Sequence, residues 1–274
     1  MVLIANGSDT MFELEVCIDS VESAIAAVNG GADRLELCGS LAAGGGVTPS
    51  LGLFRAVTRA APHVPIMVMI RPRTGDFVYS DAEVEVMLED IRVFRDAGAA
   101  GVVFGILTHE GDIDVHCSTR LANEAHGMEI CFHRAFDMTR NIHQAFRDVR
   151  RIPHLSRVLT SGYEPTCTTP AALANLTSLF RAMNEDDQHL DYDTARGLGI
   201  LPGSGVSPST IRSVLQELLP LGLRQIHMSG GRWLPGEAQY RRAGMGMGVG
   251  DGEWAVWRTS EERVREVAQI ISES

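Results

Sequence analysis

The sequence contains no lysine, and this absence excludes one class of enzyme. All 24 residues counted as lysine or arginine are arginines. Schiff-base aldolases and pyridoxal enzymes form an imine with a lysine amine, so neither mechanism is available to a side chain of this protein. Arginine instead binds carboxylate or phosphate through two parallel N–H groups, which keeps the recognition of an anionic molecule open.

An excess of positive charge is absent as well. The formal net charge is −11 at pH 7, and a surface of that sign repels nucleic acid and anionic membranes. No stretch of the sequence approaches the roughly 18 apolar residues that a membrane-spanning helix needs. We therefore predict that neither nucleic acid nor a membrane is a partner of this protein.

Cysteine is scarce, with five residues in the chain. Their odd number and wide spacing do not fit a disulfide framework. The apolar stretch 1–5 is too short for a secretion signal. These features predict reduced thiols in a cytoplasmic protein.

Short apolar runs, separated by segments with helical periodicity, predict an α/β fold. No change of composition divides the chain, so we predict a single (β/α)8 TIM barrel with parallel strands over residues 12–274, after an N-terminal tail at 1–11. An open doubly wound sheet is the alternative. A polar segment at about 184–196 is predicted to be a loop insertion. The eight runs begin near Phe12, Arg34, Ile66, Ala100, Met128, Ser156, Gly197 and Arg224.

Two neighbouring predicted strands carry the same short pattern, a glutamate followed two residues later by a cysteine. Glu15 and Cys17 lie in the first strand, and Glu36 and Cys38 in the second. Side chains at i and i+2 share one face of a strand, and the residues between them are apolar, so the acids and thiols are predicted to point into an interior. They are costly there unless they bind something. Two thiols alone make a poor zinc site, whereas copper(I) accepts two soft ligands and fits Cys17 and Cys38 better.

The carboxyl ends of the other predicted strands are rich in charged side chains, and in a TIM barrel those ends surround the active site. Such a set is able to do general acid–base work on an anionic substrate. A structural ion pair between Arg71 and Glu36 across the barrel is the alternative for those two residues. The predicted rim consists of Glu15, Glu36, Arg71, Arg73, His133, Arg134, Asp137 and His227.

Glycine-rich turns follow the seventh and eighth predicted strands. In many barrels the backbone N–H groups of these two loops hold a phosphate, so Gly203 and Gly205 are candidate anion-binding residues, with an ordinary turn as the alternative. Met245 and Met247 either offer thioethers to a soft metal or pack a loop against the end of the barrel. Cys117 and Cys167 fall in helix or loop and are predicted to be inert.

Several of these segments together resemble the copper homeostasis protein CutC family, most strongly between about Phe12 and Gly162. The resemblance implies a cytoplasmic, often oligomeric, single-domain barrel linked to copper tolerance, in which cysteines matching Cys17 and Cys38 are the proposed copper(I) ligands. The sequence departs from the family pattern at Ser204, inside an expected glycine triplet, and at Met228, where a cysteine occurs in relatives. The motifs are Glu15-Val16-Cys17-Ile18-Asp19-Ser20, Gly31-Ala32-Asp33-Arg34-Leu35-Glu36-Leu37-Cys38, Met69-Ile70-Arg71-Pro72-Arg73 with Gly75-Asp76-Phe77, Phe132-His133-Arg134-Ala135-Phe136-Asp137, and Leu159-Thr160-Ser161-Gly162.

Two functions therefore compete. The first is a homo-oligomeric copper homeostasis protein that binds copper(I) through Cys17 and Cys38. The second is a TIM-barrel enzyme that acts on a small phosphorylated or carboxylated metabolite. In the enzyme, Arg71 and Arg73 hold the anion within the charged rim, while Glu36 and His133 move protons and Asp137 orients them.

Overall fold

The computed structural model describes residues 12–187, 197–248 and 252–274, so the predicted tail at 1–11 lies outside the described residues. Eight parallel strands follow one another in a single sheet, in the order β7-β6-β5-β4-β3-β2-β1-β8. The sheet curls until β7 and β8 come into contact, which confirms the TIM barrel and excludes the open doubly wound sheet. The strands are β1 Glu13–Ile18, β2 Arg34–Leu37, β3 Ile66–Met69, β4 Gly101–Phe104, β5 Glu129–Phe132, β6 Leu155–Thr160, β7 Gly199–Pro202 and β8 Gln225–Met228.

A helix follows each strand of the barrel. The third helix begins with a capping box, in which the side chains of Ser80 and Glu83 each bond to the other residue's backbone N–H. Among the described helices, none is both long and apolar enough to cross a membrane. The helices are α1 Val21–Asn29, α2 Leu51–Ala60, α3 Asp81–Asp96, α4 Val115–Glu124, α5 Ile142–Val149, α6 Pro170–Asp187, α7 Ile211–Leu218 and α8 Glu261–Ser272.

Helix α6 is longer than the sequence pattern suggests. It ends at Asp187, so residues 184–187 of the predicted polar loop are helical. The remaining residues of that loop, 188–196, lie outside the described residues.

The alternation of side chains along each strand divides the core into two layers. Leu14, Val16 and Ile18 of β1 pack outward against the helices, as their period of two requires. The inward positions of several strands form a smaller cluster inside the barrel, which includes Met69 and Cys131. The inward face of β1 and β2 carries the glutamates and cysteines, as the sequence pattern predicts.

A β-hairpin between β8 and α8 is absent from the sequence-based prediction. Its strands, β9 Gly231–Pro235 and β10 Ala255–Thr259, pair antiparallel. Trp233 lies opposite Trp257, and their rings meet edge to face with centroids 5.4 Å apart. A Cβ atom at Gly231 would lie 2.2 Å from the indole of Trp257, so this position requires glycine. The hairpin brings Trp257 to the mouth of the barrel.

Candidate functional site

A cavity of about 440 Å³ opens at the carboxyl ends of the strands. This is the end of the barrel at which the fold places functional groups. Apolar side chains form much of its wall, among them Leu41, Met69, Phe77, Leu159 and Val206. Its polar groups include Cys17, Glu36, Arg71, His133, Arg134 and His227.

Three buried side chains in the wall of the cavity form a candidate metal centre. One ligand atom from each of Cys17, Glu36 and His227 lies within 4.8 Å of the others. Strand register explains this proximity, because Cys17 on β1 pairs directly with Glu36 on β2, while His227 comes from β8 on the other side of β1. We refer to these three residues as the mouth triad.

Glu15 lies beneath the mouth triad and orients its histidine. Glu15 pairs with His227 in the strand register, and its Oε1 accepts a hydrogen bond from Nδ1 of His227 at 2.7 Å. The other carboxylate oxygen accepts from Nε of Arg34 at 2.5 Å. A carboxylate that holds one ring nitrogen of a histidine leaves the other for a metal, so Glu15 presents Nε2 of His227 to the cavity.

The surroundings shift the pKa values of Glu15 and of the mouth triad in different directions. Burial alone would raise the pKa of Glu15, but the hydrogen bond from His227 and the charge of Arg34 outweigh burial and hold the pKa at about 2. Burial raises the pKa of Glu36, against the charge of His227. Burial opposes the charged form of His227, yet Cys17, Glu36 and the bond to Glu15 raise its pKa well above the usual 6.5. Burial also raises the pKa of the Cys17 thiol.

Cys38 is not a member of the mouth triad, although the sequence pairs it with Cys17. It is fully buried, and its thiol donates a long hydrogen bond to Oε1 of Glu36 at 3.4 Å. A Cβ atom at Gly46 would lie 2.9 Å from the Cys38 sulfur, so the loop between β2 and α2 covers this thiol. Cys17 lies opposite Glu36 in the strand register, and Cys38 comes two residues after Glu36. Cys38 is therefore not the residue that lies opposite Cys17.

Arg71 lies in the wall of the cavity and binds the loop after β2 rather than Glu36. Its Nη1 donates to the carbonyl oxygens of Gly44 and Gly46 at 2.8 and 3.0 Å, and its Nη2 donates to that of Gly75 at 3.1 Å. Within the described residues Arg71 forms no ion pair, so the structural pairing with Glu36 is absent.

His133 lines the cavity as a neutral side chain. Burial, reinforced by the charge of Arg71, lowers its pKa to about 3. The backbone N–H of Ala135 donates to Nδ1 at 3.2 Å, so the ring proton resides on Nε2. Nε2 is buried and has no hydrogen-bond partner in the described part of the chain. His133 is thus a fixed hydrogen-bond donor and not a base at neutral pH.

The structure separates two other predicted site residues from the cavity. Arg73 is 37% exposed and forms ion pairs with Asp76 and Glu83 on the surface, so the predicted clamp of two arginines is not formed. Asp137 accepts hydrogen bonds from Ser161, through both its backbone N–H and its hydroxyl. Asp137 therefore anchors the loop after β6 instead of orienting His133. Arg134 lines the cavity and pairs with Asp137 at 2.9 Å.

A model of the CutC family matches residues 12–232 of the chain. A CutC family protein of Vibrio parahaemolyticus is 38% identical over 262 residues, which cover 94% of this chain and 98% of the relative. A CutC family protein of Chromobacterium violaceum is 37% identical over 262 residues, with 95% and 98% covered. The chain belongs to the CutC family.

Solved structures place this CutC family member among TIM barrels. A structure from Streptococcus agalactiae, described as a copper homeostasis protein CutC, matches with a TM-score of 0.68 and 27% identity, over 80% of this chain and 99% of that chain. A structure from Toxoplasma gondii, described as a deoxyribose-phosphate aldolase, matches with a TM-score of 0.54 and 10% identity, over 80% and 89% of the two chains. At that identity the second likeness shows the barrel fold alone.

The remaining predicted ligands of this CutC family member lie in different surroundings. Gly205 lines the cavity, whereas a Cβ atom at Gly203 would lie 2.7 Å from Leu159 and 3.1 Å from His227, so Gly203 permits close packing. Met245 and Met247 are 52% and 89% exposed, so they do not pack the loop against the barrel. Cys167 is buried in the outer core and Cys117 is partly buried against it.

Sequence reasoning missed three side chains that shape the site. Arg34 lies two residues before Glu36 on β2 and therefore shares its inward face, so the i, i+2 rule identifies it from the sequence. The same rule places Arg157 inside β6 with Leu159, and Arg157 pairs with Glu129. Trp257 gives no comparable signal, because its place at the mouth depends on the hairpin.

Proposed function

We propose that this CutC family member serves copper homeostasis by binding copper(I) at the mouth of the barrel through Cys17 and His227, with Glu36 beside them. The observation that carries the proposal is the mouth triad, in which sulfur, nitrogen and oxygen donors lie within 4.8 Å of one another. Copper(I) favours thiolate and accepts neutral imidazole, so its binding would release the protons that Cys17 and His227 hold in the metal-free protein. This ligand set replaces the pair of cysteines expected from the sequence.

The surroundings of the mouth triad support this choice of ligands. Glu15 holds Nδ1 of His227, which is the usual arrangement behind a metal-binding histidine. Cys17 and His227 both line the cavity, whereas Cys38 lies under the loop that contains Gly46. The Streptococcus agalactiae relative is itself described as a copper homeostasis protein. A cytoplasmic location and a homo-oligomeric assembly stay predictions.

Competitive copper(I) titration of the purified protein tests the proposal. We expect one tight equivalent per chain, and we expect Cys17→Ser and His227→Gln each to weaken binding by about a hundredfold or more, since each removes one of two strong ligands. Cys38→Ser is the matched control, because it removes a buried thiol from the neighbouring strand. Retention of wild-type affinity by Cys17→Ser would contradict the proposal.

The alternative function, acid–base catalysis on a small anionic metabolite, stays a prediction. Fewer of the residues predicted to carry out the catalysis remain available for it. Glu36 and His133 line the same cavity, but Asp137 is bonded to Ser161. Because Nδ1 of His133 accepts from Ala135 and Nε2 carries the proton, the base of such an enzyme would have to be Glu36.

A further inference from the structure

Arg71 is a buried cation without a carboxylate partner in the described residues. The residue is 5% exposed, and the hydrogen bonds of its guanidinium go to backbone carbonyl oxygens, such as those of Gly44, Gly46 and Gly75. Carbonyl dipoles satisfy N–H groups but leave the net charge uncompensated. Buried charges in proteins are normally paired, so this position calls for an anion that the described residues do not supply.

The cavity beside Arg71 has room for such an anion. Its volume of about 440 Å³ lies in the range of pockets that hold small organic molecules, roughly 300 to 1,000 Å³, and far exceeds the space that one copper ion needs. Among the described residues that line it, Glu36 is the only carboxylate. Glu36 belongs to the mouth triad, and Arg134, the other guanidinium in the wall, already pairs with Asp137.

His133 lines the same cavity and adds an unpaired donor. Its Nε2–H is buried and has no partner within the described ranges. Phe77 contacts both groups, with its ring centroid 4.9 Å from the Arg71 guanidinium carbon and 4.9 Å from the centroid of the His133 ring. The arrangement therefore places one buried charge and one fixed N–H donor around a shared aromatic ring.

The remaining wall favours a carboxylate over a phosphate. Leu41, Met69 and Leu159 are apolar and line the cavity, which suits a carbon chain. Inorganic phosphate has no carbon chain to place against this wall, so we expect the cavity to favour a carboxylate that carries one.

We propose that the cavity binds a small organic carboxylate, with its anionic end toward Arg71 and the Nε2–H of His133 and its carbon chain against Leu41, Met69 and Leu159. This site shares the cavity with the mouth triad but uses different residues. Because His133 is not a member of the triad, metal-free protein reports on carboxylate binding without the copper site being filled.

Calorimetric titration of the metal-free protein with butanoate tests the site. We expect saturable binding of butanoate, and little binding of the neutral isostere butanamide or of inorganic phosphate. His133→Phe, which keeps the ring and removes the donor, should weaken butanoate binding about tenfold or more. Arg71→Gln should abolish it. Arg73→Gln is the matched control, because it removes a surface arginine two residues away, and we expect a change of at most about twofold.

The outcomes separate this site from the copper site. Because Arg71 also holds the loop after β2, His133→Phe is the decisive variant, and we expect its copper(I) affinity to equal that of the wild type. Absence of saturable butanoate binding, equal binding of butanamide, or wild-type butanoate affinity in His133→Phe would overturn the proposal. Each of these results would leave the copper proposal untouched.

Discussion

Two buried glutamates on neighbouring strands, Glu15 and Glu36, have opposite electrostatic surroundings. Glu15 accepts hydrogen bonds from Arg34 and His227, and these cations hold its pKa at about 2 despite burial. Glu36 accepts one long bond from Cys38, its Oε2 has no partner in the described part of the chain, and burial raises its pKa. Although both are buried, Glu15 is therefore a structural carboxylate, whereas Glu36 has an oxygen without a hydrogen-bond partner that a ligand would satisfy.

The same contrast distinguishes the two ends of the barrel interior. At the lower end, each donor group of Arg34 has an acceptor, from Glu13, Glu15 and Gln225. At the mouth, polar atoms of Glu36, Arg71, His133 and Trp257 have no hydrogen-bond partner among the described residues. In TIM barrels the lower face serves stability and the upper face serves function. The bonds of Arg34 and the unsatisfied groups at the mouth follow that division, and Nη1 of Arg157 is an exception, because it is buried near Glu15 without a hydrogen-bond partner among the described residues.

The largest effect on stability is expected from breaking the lower network. Arg34→Gln leaves Glu15 with a weaker partner inside the barrel, and losing one member of a buried ion pair costs about 3 to 5 kcal/mol. Urea unfolding at pH 7 measures the change. Arg73→Gln is the control, because it breaks surface ion pairs worth about 1 kcal/mol or less. Equal stability of the two variants would contradict the structural role of the lower network.

A second, somewhat smaller effect is that the contribution of Glu15 to the free energy of unfolding depends on pH in the acid range. Its folded pKa of about 2 lies below the ordinary 4.5, so the carboxylate stabilises the fold above pH 4.5, and this contribution is lost as the pH falls toward 2. At neutral pH it amounts to about 3 kcal/mol. The unfolding free energy of Glu15→Gln should therefore lie below that of the wild type at pH 7, with a smaller gap at pH 3.5. A gap that does not change with pH would show that Glu15 has an ordinary pKa.

The smallest expected effect belongs to Glu36 and has the opposite sign. Because its folded pKa lies above 4.5, the wild type loses stability as the pH rises from 4.5 through that pKa. Glu36→Gln removes this loss, so the variant should gain stability relative to the wild type between pH 4.5 and pH 8. Paired unfolding curves at the two pH values measure the difference. A relative loss of stability with rising pH would place Glu36 in the same class as Glu15.

The sequence predicts which side chains face the barrel interior but not which of them meet. The alternation of apolar and polar residues places Glu15, Cys17, Glu36 and Cys38 on inward faces, and the structure agrees. Contact also depends on the register between strands, which opposes Cys17 to Glu36 and thereby leaves Cys38 outside the mouth triad. A single sequence contains no direct signal for that register, because it is set by the closure of the whole barrel.

The contacts that side chains make through loops are the second feature that the sequence does not predict. Arg71 and Arg73 share a face by spacing, yet Arg71 contacts the glycine loop after β2, while Arg73 reaches Glu83 at the start of α3. The hairpin of β9 and β10 is equally hard to foresee, since its strands are short and separated by residues 236–254. Trp257 enters the cavity wall only through that pairing.

X-ray absorption at the copper edge, on protein loaded with one equivalent of copper(I), tests the central claim most directly. The account predicts one sulfur neighbour, from Cys17, together with at least one nitrogen or oxygen neighbour, from His227 or Glu36. A copper ion bound by two sulfur atoms and no lighter neighbour would contradict the mouth triad and return the site to the pair Cys17 and Cys38.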